Sequence, residues 1–141
     1  MKKRLLFSFL VLFSISVCVC ASEKSDIEKN KEVAVKYHEL KAVNVKSILC
    51  KDFVGRNEKS RHTWDSESHE KYLSNGVFKQ DSICQQVAEG DWVATRFVRT
   101  MDWNGKRIKV EMMQFKKFRD GKIAEIWEYG DTGQLDEYQD N

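Results

Sequence analysis

The chain has 141 residues, 33% of them charged and 41% hydrophobic, and these proportions are those of an ordinary soluble globular protein. Residues 1–21 hold three of the 24 Lys and Arg and none of the 22 Asp and Glu, so the remaining chain carries a net charge of −1. No basic surface for nucleic acid follows from that balance, and about 120 residues without repeats, low-complexity tracts or prolines suit one compact domain.

The first stretch reads as a targeting segment. Lys2, Lys3 and Arg4 precede an apolar run from Leu5 to Val19, and Val19-Cys20-Ala21 fits cleavage before Ser22. Residues 1–21 are thus expected to be a signal peptide and 22–141 the mature domain, exported to a periplasm or secreted. Lipid anchoring at Cys20 is the alternative; it is disfavoured because Val19 stands where a small residue is usual. Export leaves Cys50 and Cys84, which either form a disulfide closing a loop of about 33 residues or remain free thiols.

Ser25-Asp26-Ile27-Glu28 has the form of a capping box opening a helix to about Val43, with Val33, Tyr37 and Leu40 at helical spacing. Asn44 caps a short second helix carrying Val45, Ile48 and Leu49. Residues 52–63 show no clear period and read as loop and short strand. Asp65 caps a third helix, 66–74, with His69, Tyr72 and Leu73 on one face, and 82–88 is a strand. Asn104-Gly105 and Asp120-Gly121 then punctuate three alternating segments, about 91–103, 106–119 and 122–129, as two-residue type I′ turns would. A last turn of helix is expected near 132–138. Helices followed by a four-strand antiparallel sheet make an α+β layout.

Two-residue loops fix a register. Asp102 faces Arg107, Met101 faces Ile108 and Phe97 faces Met112; around the second turn Lys116 faces Glu125 and Gln114 faces Trp127. One face then carries Val93, Thr95, Phe97, Arg99, Met112, Gln114, Trp127, Tyr129 and, by parity, Asp131. A single bulge would exchange the faces beyond it. Glu125 with Lys116, and Glu128 with Arg96, read as cross-strand ion pairs. Both faces hold apolar residues, so both are expected to be covered, one by helices and the other by a second subunit.

In this order the residues resemble the SnoaL-like polyketide cyclase family of the NTF2-like superfamily. The resemblance rests on His62-Thr63-Trp64, Ser68-His69-Glu70-Lys71-Tyr72-Leu73, Glu89-Gly90-Asp91-Trp92-Val93-Ala94-Thr95-Arg96, Phe118-Arg119-Asp120-Gly121-Lys122-Ile123 and Glu125-x-Trp127-x-x-x-Asp131. It implies a cone in which N-terminal helices pack in a curved antiparallel sheet around an apolar cavity, often as a homodimer. It also implies that Asp131 acts as general acid/base in a ring closure needing neither metal nor cofactor. The export signal and the ending Gln134-Leu135-Asp136-Glu137-Tyr138-Gln139 depart from that pattern.

Each candidate residue has two readings. Asp131 either titrates near neutrality in an apolar cavity or caps the terminal helix with a depressed pKa. His62 is either a second proton carrier or a hydrogen-bonded loop residue. Trp64, Phe97, Met112, Gln114, Trp127 and Tyr129 either line a ligand pocket suited to a flat or lipid-like molecule or belong to the core. No metal-ligand spacing, nucleophile setting or glycine-rich phosphate loop occurs in the sequence. The expectation is an exported domain that binds a small hydrophobic or aromatic molecule without cofactor. The competing one is a cofactor-independent cyclase, isomerase or lyase using Asp131.

Overall fold

The computed structural model describes residues 24–39 and 44–130. The expected signal segment, the terminal helix near 132–138 and Asp131 lie outside the described residues. Chain order gives α1 (Asp26–Glu39), α2 (Val45–Ile48), β1 (Leu49–Asn57), β2 (Thr63–Trp64), α3 (Ser66–Ser74), β3 (Phe78–Glu89), β4 (Trp92–Trp103), β5 (Lys106–Arg119) and β6 (Lys122–Gly130). The six strands form one curved open sheet in the order β2-β1-β6-β5-β4-β3, mixed α+β as expected.

Local chemistry accounts for the elements that the sequence announces. Asn104 and Gly105 have φ of 49° and 75°, Asp120 and Gly121 52° and 72°, the doubly positive pattern of type I′ turns. The β4/β5 register follows from the first turn, with Asp102 opposite Arg107, Met101 opposite Ile108 and Phe97 opposite Met112. At the start of α3, Asp65 accepts from the Ser68 backbone N–H at 2.8 Å, and the Ser68 hydroxyl accepts from the Asp65 N–H, closing a capping box.

Two expectations are corrected. The segment read as loop and short strand holds the second half of β1, which begins at Leu49, a residue expected on the second helix, and pairs parallel with β6 (Gly55 with Ile126, Arg56 with Trp127) and antiparallel with β2. Sheet closure, not local periodicity, makes this strand. Second, the β5/β6 register passes from Phe118 opposite Ile123 to Lys117 opposite Glu125, so Ala124 is an unpaired extra residue. Beyond it the faces exchange. Ile126 and Glu128 turn inward, Trp127 and Tyr129 turn outward, and Lys116 faces Ile126 instead of Glu125. The expected ion pairs shift accordingly: Lys117 meets Glu125 at 4.0 Å and Arg96 meets Glu111 at 2.9 Å.

Two apolar clusters hold the cone. Ala34, Tyr37, Val45, Leu49, Phe53, Val93, Phe118, Ile123 and Ile126 form the larger, between α1, α2, β1 and the sheet. Met101, Ile108 and Val110 form the smaller, joined by Val77, Phe78, Trp103 and Met112. Between them lies a polar layer, Thr95, Arg99, Gln114 and Lys116, almost wholly out of water. Of the two cysteine readings, the free one holds. Both thiols are unbonded, and β1, which carries Cys50, is separated from β3, which carries Cys84, by three strands.

Candidate functional site

The polar layer is a single connected network. Arg99 grips Asp81 bidentately, Nε to Oδ1 at 2.9 Å and NH2 to Oδ2 at 2.8 Å, and its NH1 lies 3.5 Å from Glu128 Oε2. Phe78 and Phe97 stack on the guanidinium, with centroids 4.5 and 5.1 Å from Cζ. His38 donates from Nδ1 to Asp81 Oδ2 at 2.9 Å, and Lys116 Nζ donates to His38 Nε2 at 2.9 Å. Gln114 completes the row by donating to Glu128 Oε2 at 2.7 Å. Buried charges persist only when paired in this way.

Burial and neighbours set the charge of each member. Burial and the Lys116 ammonium push His38 down to about 4 against the pull of Asp81, so its imidazole is neutral, carrying its proton on Nδ1. Burial, aided by Arg99, pushes Lys116 down to about 7. Burial alone would raise the Asp81 carboxyl, but hydrogen bonds from Arg99 and His38 hold it at about 2. Arg99 is raised because its contact with Asp81 and the charge of Glu128 outweigh desolvation.

Beside this floor opens a cavity of about 560 Å³, lined by Asn57, Ser60, His62, Trp64, Ser68, His69, Tyr72, Arg99 and Glu128. Its aromatic wall is a stack of near-parallel rings. His62 lies 6.1 Å from Trp64, Trp64 5.9 Å from His69, and His69 5.7 Å from Tyr37, with interplanar angles of 22°, 22° and 3°. The Tyr37 hydroxyl and His69 Nε2 are hydrogen bonded at 2.7 Å, and burial brings His69 down to about 4, so it too is neutral.

Trp64 is seated by a glycine. A Cβ on Gly55 would fall 2.0 Å from Trp64 Cε2, so the indole lies flat on bare β1 backbone. Gly55→Ala is expected to push Trp64 into the cavity and to cost about 1–3 kcal/mol by overpacking. Urea denaturation checks the sign through a double-mutant cycle, because in a Trp64→Ala background the same alanine should cost almost nothing.

The expected site residues divide as follows. His62 and Trp64 line the cavity. Gln114 is buried beneath it, bonded to Glu128. Phe97 is core, in tilted ring contact with His38 and beneath the Arg99 guanidinium. Met112 packs on the smaller apolar cluster, at a distance from the aromatic wall. Trp127 and Tyr129 are on the outer face, Trp127 under Arg56 and Tyr129 against Phe115, because the extra Ala124 reverses β6. Sequence reading left out Asp81, His38, Lys116 and the inward role of Glu128. Arg99 stands between Phe97 and Met101, and Gln114 and Lys116 between Met112 and Phe118, at inward positions of their strands, and that parity was the available signal. Among the described residues no group of three or more His, Cys, Asp or Glu could hold a metal ion.

Helices filling a curved six-strand sheet, with a cavity beside a buried polar floor, define an NTF2-like cone. Within that class the resemblance is to the SnoaL-like branch: a model of the SnoaL-like polyketide cyclase family matches residues 78–136. Solved structures share the fold. One is a protein from a Jannaschia species assigned to the SnoaL-like polyketide cyclases, with a TM-score of 0.67 at 15% identity over 80% of this chain and 93% of that one. PrhC from Penicillium brasilianum gives 0.71 at 13% over 82% and 89%. A protein of ketosteroid isomerase-like fold from Catenulispora acidiphila, in complex with trimethylamine, gives 0.60 at 15% over 70% and 84%. No curated protein matches the chain.

Proposed function

We propose that this chain is an exported SnoaL-like protein that binds a small, largely apolar and flat molecule in its cone. The observation that carries the reading is the cavity of about 560 Å³ with an aromatic wall and polar side chains around it, the size of a small-molecule site. A solved neighbour of the same fold holds a small molecule, which supports the reading. No described helix is long and apolar enough to cross a membrane. The outer sheet face leaves Ile83, Val87, Met113, Phe115 and Tyr129 exposed, Val87 to 56%, and a second copy of the chain is the proposed cover.

Native mass spectrometry of the full-length chain expressed with its leader reports three parts of the proposal together. The expected result is a dimer of chains beginning at Ser22 that retains a small-molecule adduct. An empty cavity that also leaves Trp64 fluorescence unmoved by a panel of planar aromatics would overturn the binding reading. Cofactor-independent cyclase, isomerase or lyase chemistry with Asp131 as acid/base is the second reading. It draws on β6, whose inward Glu128 lies along the cavity just before Asp131. Asp131→Asn separates the two, abolishing turnover in the second while leaving the adduct in the first.

A further inference from the structure

Among the described residues Glu128 is the one acid lining the cavity, and its carboxylate is only half used. Gln114 Nε2 and Arg99 NH1 both reach Oε2, and Oε1 has no protein partner among the described residues. The side chain is 14% exposed, held from below and open on one side. Arg99 lines the same cavity, yet its charge is already committed: Asp81 takes Nε and NH2, and Phe78 and Phe97 cover the guanidinium. Lys116 does not line the cavity, and burial pushes its amine down to about 7, so it adds little positive charge there. An anion here would have to displace Asp81 and lie against Glu128. A cation would meet a free carboxylate oxygen beside Trp64 and Tyr72, whose ring faces attract positive charge within about 6 Å.

We propose that Glu128 is the recognition group of the cavity and that the ligand it selects is an organic ammonium ion with an apolar body. This rests on the small-molecule reading above and narrows it. The cavity brings an aromatic wall together with a carboxylate oxygen that has no protein partner among the described residues.

The test compares three probes of one size: phenyltrimethylammonium, its neutral isostere tert-butylbenzene, and benzoate, titrated by calorimetry and by Trp64 fluorescence. The cation should bind at least about tenfold more tightly than the isostere, as a charge-assisted contact would give, and benzoate should not compete. Glu128→Gln, which keeps the shape and can still accept from Gln114, should erase that preference while leaving tert-butylbenzene unchanged. Should that variant not fold, Tyr72→Leu, at a half-exposed wall position, should lower cation affinity several-fold more than that of the isostere. Equal or better binding of tert-butylbenzene, or a cation preference unchanged in whichever variant folds, would sink the inference and leave the binding reading standing. If none of the probes binds, the inference falls as well, and the adduct seen by native mass spectrometry still decides the broader reading.

Discussion

Asp81→Asn is expected to be among the most destabilising single changes in this protein, by about 3–5 kcal/mol, the range for breaking one partner out of a buried ion pair. Arg99 would keep its charge inside the cone and lose its bidentate acceptor, and His38 Nδ1 would lose its acceptor in the same step. Asp102→Asn removes a similar bidentate partner from Arg107 at an exposed hairpin end, and its effect should be small because water screens that pair. Chemical denaturation of the two variants side by side is the measurement. Equal losses would mean that the inner pair is no more than a surface contact.

The same network fixes the response to acid. Asp81 titrates at about 2 in the fold and near 3.9 unfolded, so its stabilisation is complete above the unfolded value and disappears as pH falls towards 2. His38 and His69, at about 4 against an unfolded 6.5, add loss in the same direction between those limits, because the unfolded chain takes up protons that the folded one refuses.

The second large effect lies on the alkaline side and belongs to Lys116. Its amine titrates at about 7 in the fold and near 10.4 unfolded. Below pH 7 the folded protein carries a buried ammonium and bears the full desolvation cost. From about 7 upward the folded chain has released a proton that the unfolded chain still holds. Stability should therefore climb with pH, by up to about 1.4 kcal/mol per unit from this group. Tyr37 closes the window near pH 10, since burial raises its pKa and the fold then keeps a proton that the unfolded chain loses. Lys116→Met should flatten the slope and raise stability at pH 7 by about 1–3 kcal/mol, a burial penalty removed against one hydrogen bond lost to His38. Urea midpoints from pH 6 to 10 for both proteins test it. A parallel slope in the variant would place the titration elsewhere.

Much of the architecture was legible because short-range chemistry specifies it. The Asn104-Gly105 turn fixed the β4/β5 pairing residue by residue, the Asp120-Gly121 turn fixed β5/β6 only as far as Ile123, and Asp65 marked the start of α3. What escaped was set by closure of the sheet. β1 is a strand because β6 lies beside it, and nothing in residues 49–57 names that partner. The bulge at Ala124 left only a faint trace, a spacing of three between the inward Ile123 and Ile126 where alternation requires two or four, and it carried Trp127 and Tyr129 to the wrong side. Of the site, the sequence showed His62, Trp64 and Gln114. Asp81 drew no reading and Lys116 read as the ion-pair partner of Glu125; only the fold encloses both.

The parallel pairing of β1 with β6 also orders events in time. Hairpins β3/β4, β4/β5 and β5/β6 join neighbours in sequence and can zip as soon as each turn is made, whereas β1, beyond its short pairing with the two-residue β2, must wait for the final strand before it can join the main sheet. Trp64 is anchored on Gly55 of that same late strand. A nascent chain halted before β6 would hold a half-built trough, and the cavity is finished only at the last step of assembly.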